Sequence, residues 1–392
     1  MRSMDISRFT DPRFGPDPYF EKLKDRASCS DMHLKYMFQI VWPLMDTFRK
    51  VLVGQRDMTT YLSIGRFAVG DRDFRSDGSV RLGFGHIYFW ERPGTGKSLL
   101  AKTPSLVLGG TSSRFQGMAG TLPQDYTGNR IIQIDPQTEK KIFELVPGPG
   151  FTQMQLLDEF FRSDERTQGA ALESLGEGTV TVAGTTYDKH PVTGEPISPF
   201  AIITGNPIET KGVYPAIRAF LDRIMFTVRG HEFSAHEFAE ILRRTNQFHN
   251  VVFTKVCDME TVREVQEFFH REIYVSERIQ EDVLGRFAEI TNNPYRFGYL
   301  KELADEFGGP IVLGGISGRG VCHWEGAAKI LAAFRYRNYV TLDDVRKVLL
   351  PILRHRLMFA PNVLRLFTDL WKKRDTVETA DAIIHKLIKE AW

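Results

Sequence analysis

The sequence predicts an α/β fold built on a parallel sheet and followed by a mostly helical region. Three observations carry that expectation. Short apolar runs with little alternation recur at His86-Ile87-Tyr88-Phe89-Trp90, Met154-Gln155-Leu156-Leu157, Pro199-Phe200-Ala201-Ile202-Ile203 and Ile224-Met225-Phe226-Thr227-Val228. Such runs are strands covered on both faces, as in a parallel sheet. The first run leads into a glycine-rich turn, Glu91-Arg92-Pro93-Gly94-Thr95-Gly96-Lys97-Ser98, and then into helix-forming Leu99-Leu100-Ala101-Lys102. From about residue 231 the apolar spacing changes to the 3.6-residue period of helices.

Composition bounds the rest. A chain of 392 residues with 42% hydrophobic content can hold two or three domains with real cores. Residues Met1 to Thr10 carry charges rather than an apolar leader, and no unbroken apolar run is long enough to span a bilayer, so the cytoplasm is the expected location. Basic and acidic residues number 51 and 49, a net charge of +2, which gives no global argument for nucleic acid or membrane binding. Cys29, Cys257 and Cys322 match no zinc or redox spacing and read as buried thiols.

Taken in order, residues 1–47 read as an N-terminal helical extension packed on the core, with Pro43 expected to bend or interrupt its helix. Residues 48–230 form the α/β core. Within it Gly70 to Gly78 reads as a loop, and two hairpins interrupt the rhythm: Ile131 to Leu145, turning near Gln137-Thr138, and Thr179 to Tyr187, turning at Ala183-Gly184. Residues 231–360 form a helical domain. Val262, Val265 and Phe269 make one apolar stripe and Val345, Val348, Leu349, Ile352 and Leu353 another, with Thr341 and Asp344 spaced as a capping box. Residues 361–392 are a helical tail, whose Ala380, Ile383, Ile384, Leu387 and Ile388 share a face suited to packing on that domain.

The chemistry begins at the glycine-rich turn. Strand, loop and helix in that order form a phosphate-binding loop. Gly94 and Gly96 let backbone N–H groups converge on a β-phosphate, Lys97 supplies a cation, and Ser98 offers a hydroxyl to Mg²⁺. About sixty residues on, Leu156-Leu157 ends in Asp158 and Glu159. Asp158 suits Mg²⁺ held through its water shell, and Glu159 suits a carboxylate that polarises attacking water. The next strand delivers Asn206, a neutral amide able to bond that water or a γ-phosphate. Arg223 and Arg319 are candidates for neutralising transition-state charge, although the sequence leaves each equally open to being a surface ion-pair arginine. His231 and His236 are five apart and share a helix face poorly, so a metal site there has little support.

These residues resemble the MoxR family of AAA+ ATPases. The resemblance runs from about Val51 to Leu357 through Val53-Gly54-Gln55, Leu122-Pro123-Gln124-Asp125-Tyr126-Thr127-Gly128, Pro147-Gly148-Pro149-Gly150-Phe151, Asp158-Glu159, Thr167-Gln168 and Glu173. It continues in Thr204-Gly205-Asn206-Pro207-Ile208-Glu209, Gly212-Val213-Tyr214-Pro215, Leu221-Asp222-Arg223, Tyr339-Val340-Thr341-Leu342-Asp343-Asp344-Val345 and Leu353-Arg354-His355-Arg356-Leu357. It implies an AAA+ core binding ATP and Mg²⁺, with Val53 and Gly54 on adenine and Pro93, Gly94, Thr95, Gly96, Lys97, Ser98 and Leu99 along the phosphates. It implies that Lys97, Asp158 and Glu159 serve hydrolysis, Asn206 as a first sensor, Arg223 as a finger reaching a neighbouring subunit, and Arg319 as a second sensor. The two hairpins become the helix-two insert and the pre-sensor hairpin. A ring follows, commonly a hexamer, with chaperone-like remodelling of a partner and a von Willebrand A domain protein beside it.

The sequence departs from that pattern at Glu91, where the family has glycine, at Phe161, where it has asparagine, and at Pro104, placed to kink the helix after the loop. An inward carboxylate at residue 91 would repel nucleotide. The expectation is that it turns away, so Glu91→Gly leaves nucleotide affinity unchanged or improved in a titration; a large loss of binding would refute this. Two other readings stand beside an active ATPase: a nucleotide-stabilised scaffold with little turnover, and a nucleic-acid motor. The latter would rest on Arg335-Tyr336-Arg337, Arg354-His355-Arg356 and Lys372-Lys373-Arg374, and helix-end dipoles or solvated faces explain those clusters more simply.

Overall fold

A computed structural model of the chain describes residues 29–51, 53–74, 80–90, 103–104, 106–134, 141–205, 218–230, 232–245, 255–293, 298–307 and 311–390. The phosphate-loop sequence 91–99, Asn206 and His231 lie outside the described residues.

Five parallel strands form the central sheet: β1 (His86–Trp90), β2 (Ser112–Gln116), β3 (Met154–Asp158), β4 (Phe200–Gly205) and β5 (Ile224–Val228). Their order is β5-β1-β4-β3-β2. Side-chain alternation divides the apolar residues between two cores. Ile87, Phe89, Met154, Leu156, Phe200, Ile202 and Phe226 face the larger one, which also takes in the N-terminal helices and the C-terminal helical region. Leu157, Ala201, Ile203 and Ile224 face a smaller one closed by Phe160, Phe161, Phe220 and Leu175. The four apolar runs are therefore strands covered on both sides.

β2 was not foreseen, because Ser112-Ser113-Arg114-Phe115-Gln116 is polar and only Phe115 is buried. It is an edge strand, stabilised by pairing with β3 from Ser112↔Met154 to Gln116↔Asp158 rather than by its own composition. The expected loop at Gly70 to Gly78 is corrected for the same reason. Val69–Phe74 pairs antiparallel with Val80–Phe84, closing at Phe74↔Val80, so its polar residues belong to a two-stranded ribbon. Both expected hairpins form. Gly128–Ile134 pairs with Lys141–Pro147, the Ile134↔Lys141 pair bracketing the predicted turn. Val180–Val182 pairs with Thr185–Tyr187 across Ala183 (φ 48) and Gly184 (φ 79). Two adjacent positive φ values are what a type I′ turn requires.

In the N-terminal region Pro43 does not break the helix. Asp31–Tyr36 and Trp42–Val51 are joined by a π-helical turn at Met37–Val41, whose wider ring makes room for a proline that cannot donate to the preceding turn. His33 Nε2 bonds the Ala333 carbonyl at 2.9 Å and Trp42 Nε1 donates to Tyr336 at 2.6 Å, so this extension is fastened to the C-terminal helices.

Eight helices organise the site: α1 (Arg56–Phe67), α2 (Glu165–Glu177), α3 (Arg218–Arg223), α4 (Ala235–Thr245), α5 (Met259–Glu272), α6 (Gly318–Phe334), α7 (Leu342–Leu353) and α8 (Thr376–Glu390). The predicted capping box starts α7: the Thr341 N–H and hydroxyl donate to Asp344 Oδ2 at 2.9 and 2.7 Å. The stripes of α5, α7 and α8 are buried as expected apart from the half-buried Ala380, with Trp324 of α6 fully enclosed and donating to the Val345 carbonyl at 2.8 Å. The cysteine expectation holds for Cys257 alone: Cys29 is half-buried and Cys322 is exposed on α6, a helix that buries its neighbours His323 and Trp324.

Burial gives this fold a pH dependence. His323 and His270 are both pushed down to about 4, first by desolvation, with Arg356 also disfavouring charge on His323 and Lys329 and Arg72 on His270. Around His323 stand Asp71, Arg356 and His86, and the Asp71 carboxylate only partly offsets burial. A histidine held neutral when folded binds a proton more readily when unfolded, so stability declines as pH falls below the ordinary histidine value of about 6.5. The melting temperature should drop between pH 7 and 5 and drop less in His323→Gln. An unchanged slope in that variant would show that His323 is not the responsible group.

Candidate active site

The carboxyl ends of β1, β3 and β4 meet at one edge, where open α/β sheets bind ligands. Asp158 ends β3 and is 7% exposed. Its Oδ1 accepts from the Thr204 hydroxyl of β4 at 2.5 Å and its Oδ2 from Arg114 Nη2 of β2 at 2.5 Å. The same Thr204 oxygen accepts the Glu159 N–H at 3.1 Å. One threonine thus sets both acids. Glu159 sits in the left-handed region (φ 51, ψ 35), which costs a residue with a Cβ about 1–3 kcal/mol. Its carboxylate is 3.4 Å from Arg162 Nε. Strain of this kind turns a side chain out of the strand's alternation, and here it directs the second acid away from the buried row.

Thr204 and Arg114 are functional candidates that the sequence reading left without a role. Thr204 is a polar residue inside an otherwise apolar strand, which was a usable signal. Arg114 lies on the unforeseen strand β2 and gave none.

Phe161 is explained by packing. It is buried against Phe220 and edge-on to Tyr88, with ring centroids 5.8 and 5.1 Å apart. The Tyr88 hydroxyl in turn occupies the space that a Cβ on Gly205 would need. Burial first and the Glu159 charge second raise the Tyr88 pKa, so its phenol stays protonated.

Val53 and Gly54 precede α1. Gly54 adopts φ +77, a conformation that strains any residue with a Cβ, and the Glu237 carboxylate of α4 lies against it. The far end of α1 meets the beginning of β1, where Gly85 N–H donates to the Gly65 carbonyl at 2.9 Å. A helix of 12 residues spans about 18 Å, which sets Gly54 at the sheet's carboxyl edge. Thr103 and Pro104 are buried and helical; the part of that helix which Pro104 was expected to kink lies outside the described residues.

Arg223 and Arg319 are not at that edge. Arg223 is the last residue of α3, directly before β5, hence at the amino edge of the sheet. Its Nη1 donates to the Ala219 carbonyl at 3.1 Å and its guanidinium fills the space over Gly176. Arg319, in the first turn of α6, donates to Asp71 Oδ1 at 2.6 Å and Asp222 Oδ2 at 2.9 Å. Burial followed by the nearby Arg319 charge lowers the Arg223 pKa. For Arg319 burial works against the charge, but the Asp71 and Asp222 carboxylates outweigh it and raise the pKa. The structure therefore gathers the two arginines with each other and separates them from Asp158 and Glu159.

Comparison with known proteins agrees with the fold. Residues 86–226 match the ATPase family associated with various cellular activities (AAA), and residues 310–369 match the AAA lid domain. Chaperone MoxR1 of Mycobacterium tuberculosis is 29% identical over 81% of this chain and 75% of its own length. The chain belongs to the MoxR family of AAA+ ATPases. Protein MoxR of Paracoccus denitrificans is 25% identical over 71% of this chain and 80% of its own. YeaC of Bacillus subtilis is 29% identical over 76% of this chain and 85% of its own. A solved structure from Cytophaga hutchinsonii, named as a candidate ATPase, shares the fold with a TM-score of 0.69 at 24% identity, covering 94% of this chain and 98% of that one.

Several pieces of the MoxR-like pattern serve the scaffold. Tyr126 is fully buried and donates to Gln155 Oε1 at 2.7 Å, while Thr167 donates to the Thr121 carbonyl at 2.7 Å and Gln168 to the Ser163 carbonyl at 3.0 Å. Glu173 accepts from the Thr179 and Thr181 hydroxyls at 3.0 and 2.8 Å, tying the hairpin at residues 180–187 to α2. Arg356 is buried and its Nη2 donates to the Asp222 and Ile224 carbonyls at 3.0 and 2.7 Å, which fastens the end of α7 to the turn carrying Arg223. No helix among the described residues is long and apolar enough to cross a membrane.

Proposed function

We propose that this chain hydrolyses ATP in a ring and couples turnover to remodelling or maturation of a partner protein. The observation that carries the reading is the pair of acids at the end of β3, both set by Thr204 of β4, the strand that lies between β3 and the strand leading into the phosphate-loop sequence. In this reading Glu159 takes a proton from attacking water, Asn206 bonds that water, and Lys97 binds the β and γ oxygens. Asp158, an almost buried carboxylate held by Thr204 and Arg114, would hold Mg²⁺ through its water shell, with the Ser98 hydroxyl as a further oxygen ligand. Bound there, that ion would neutralise charge on the phosphate oxygens. ATP turnover by the purified protein, compared with Glu159→Gln, tests the proposal, and equal rates would favour the scaffold reading.

Separation of Arg223 and Arg319 from the acids supports an assembly in which one subunit's amino edge completes its neighbour's site. A hexamer is the expected count, the cytoplasm the expected setting, and a von Willebrand A domain protein the expected partner, in keeping with the chaperone named among its relatives. Affinity isolation of the Glu159→Gln protein with ATP would trap the client; recovery of self-assembled rings alone would weaken the remodelling part.

A nucleic-acid motor is disfavoured by pairing of the basic clusters. Arg335 and Arg337 both bond Asp344 at 2.6 Å, Arg354 is held by Asp381 at 2.9 and 3.0 Å, and Arg374 meets Glu232 at 2.7 Å. Guanidinium groups satisfied in this way leave little for a phosphate backbone.

A further inference from the structure

We infer that Glu237 selects the nucleotide base, its carboxylate accepting a hydrogen bond from the exocyclic amine of adenine. The inference rests on the reading that Val53 and Gly54 contact the base. Three observations carry it further, to a residue outside that pair.

The first is contact. Glu237 Oε1 and the carboxyl carbon lie where a Cβ on Gly54 would be, and the positive φ of Gly54 also favours a glycine. A base resting on the Gly54 backbone would therefore meet a carboxylate at its border.

The second is orientation. Glu237 Oε2 accepts from the Ser234 N–H at 2.8 Å and the Ser234 hydroxyl at 2.9 Å, the reciprocal cap that starts α4. This fixes the carboxylate with Oε1 toward Gly54. At the other end of α4, Arg244 Nη1 donates to the Arg49 and Lys50 carbonyls at 3.0 Å each, and its Nε is 2.8 Å from Glu240. The helix is thus tied to the segment before Gly54 and cannot slide along it without breaking those bonds.

The third is chemistry. An ionised carboxylate only accepts hydrogen bonds. It matches the amine of adenine and opposes the carbonyl oxygen that guanine carries at the same ring position. A site built to bond one polar group rejects an analogue lacking it more strongly than it rejects a change in apolar bulk.

The test measures binding of nucleoside diphosphates, which avoids turnover: ADP, GDP, purine riboside diphosphate with the same ring but no amine, and ribose 5-diphosphate with no base. The wild-type protein should bind ADP about tenfold more tightly than purine riboside diphosphate, the loss expected for one bond to a charged acceptor. Glu237→Ala should bind the two alike. Glu237→Gln keeps the cap and can donate as well as accept, so its preference for ADP over GDP should shrink. Ser234→Ala removes one of the two bonds that orient the carboxylate and leaves the backbone one, so it should weaken discrimination less than Glu237→Ala does. Full discrimination retained in both Glu237 variants overturns the inference while the Gly54 reading stands. Equal wild-type affinity for purine riboside diphosphate and ribose 5-diphosphate means instead that the ring is not contacted, and the underlying reading fails first.

Discussion

Glu159→Gln is expected to lower ATP turnover by about 10²–10⁴-fold, the usual value of a positioned general base, with nucleotide affinity unchanged. Glutamine is nearly isosteric and keeps the backbone bond to Thr204, so the loss would report chemistry rather than folding. The side chain is about a quarter exposed (24%), and it hangs from a backbone in the left-handed region. Glu159→Gly separates these contributions: it relieves the conformational strain and should melt no lower than wild type, yet turn over as slowly as the glutamine variant. Steady-state phosphate release and a thermal melt measure both, and a glutamine variant as fast as wild type would leave Glu159 without a role in the reaction.

Arg223→Ala is expected to cost about 10³–10⁵ in turnover, the range for an arginine that stabilises phosphoryl-transfer charge. The distinctive outcome is complementation. Arg223→Ala subunits keep their own acids, and Glu159→Gln subunits keep their arginine. If Arg223 serves the adjoining site, mixing the two inactive proteins should restore part of the activity, because some sites then combine an intact Glu159 with a neighbour's intact Arg223. Absence of any recovery in assembled mixtures would place Arg223 outside trans catalysis. Because its guanidinium packs over Gly176 and bonds only the Ala219 carbonyl among the contacts described, its truncation should disturb the fold little.

Much of the fold was legible where burial and chain pattern agree. β1, β3, β4 and β5 are continuous apolar runs because both faces of the sheet are covered, and Thr341 with Asp344 announces the start of α7 because a helix must satisfy its first N–H groups locally. What was missed shares one physical cause. β2 and the ribbon Val69–Phe74 with Val80–Phe84 are polar segments whose strand conformation is stabilised by hydrogen bonds to partners distant in sequence, so neither has a local signature. Pro43 is the converse case: its local signal was strong, and a single π turn accommodated it.

The acids were found by their place after an apolar strand, whereas their supports were not. Nothing in the spacing of residues 114, 158 and 204 says that Arg114 and Thr204 grip the two oxygens of Asp158. By itself, the sequence determined the parallel α/β core, the helical region after it and the order of the motif residues, because hydrophobic period and strand-end chemistry are local properties. Only the tertiary structure decided that one threonine fixes both acids, that Phe161 fills a packing site beside Tyr88, and that Arg223 and Arg319 share the opposite edge with Asp71 and Asp222. Those facts depend on strand order and on how α6 and α7 dock against the start of β5, and contacts across such separations in sequence leave no periodic trace in the chain.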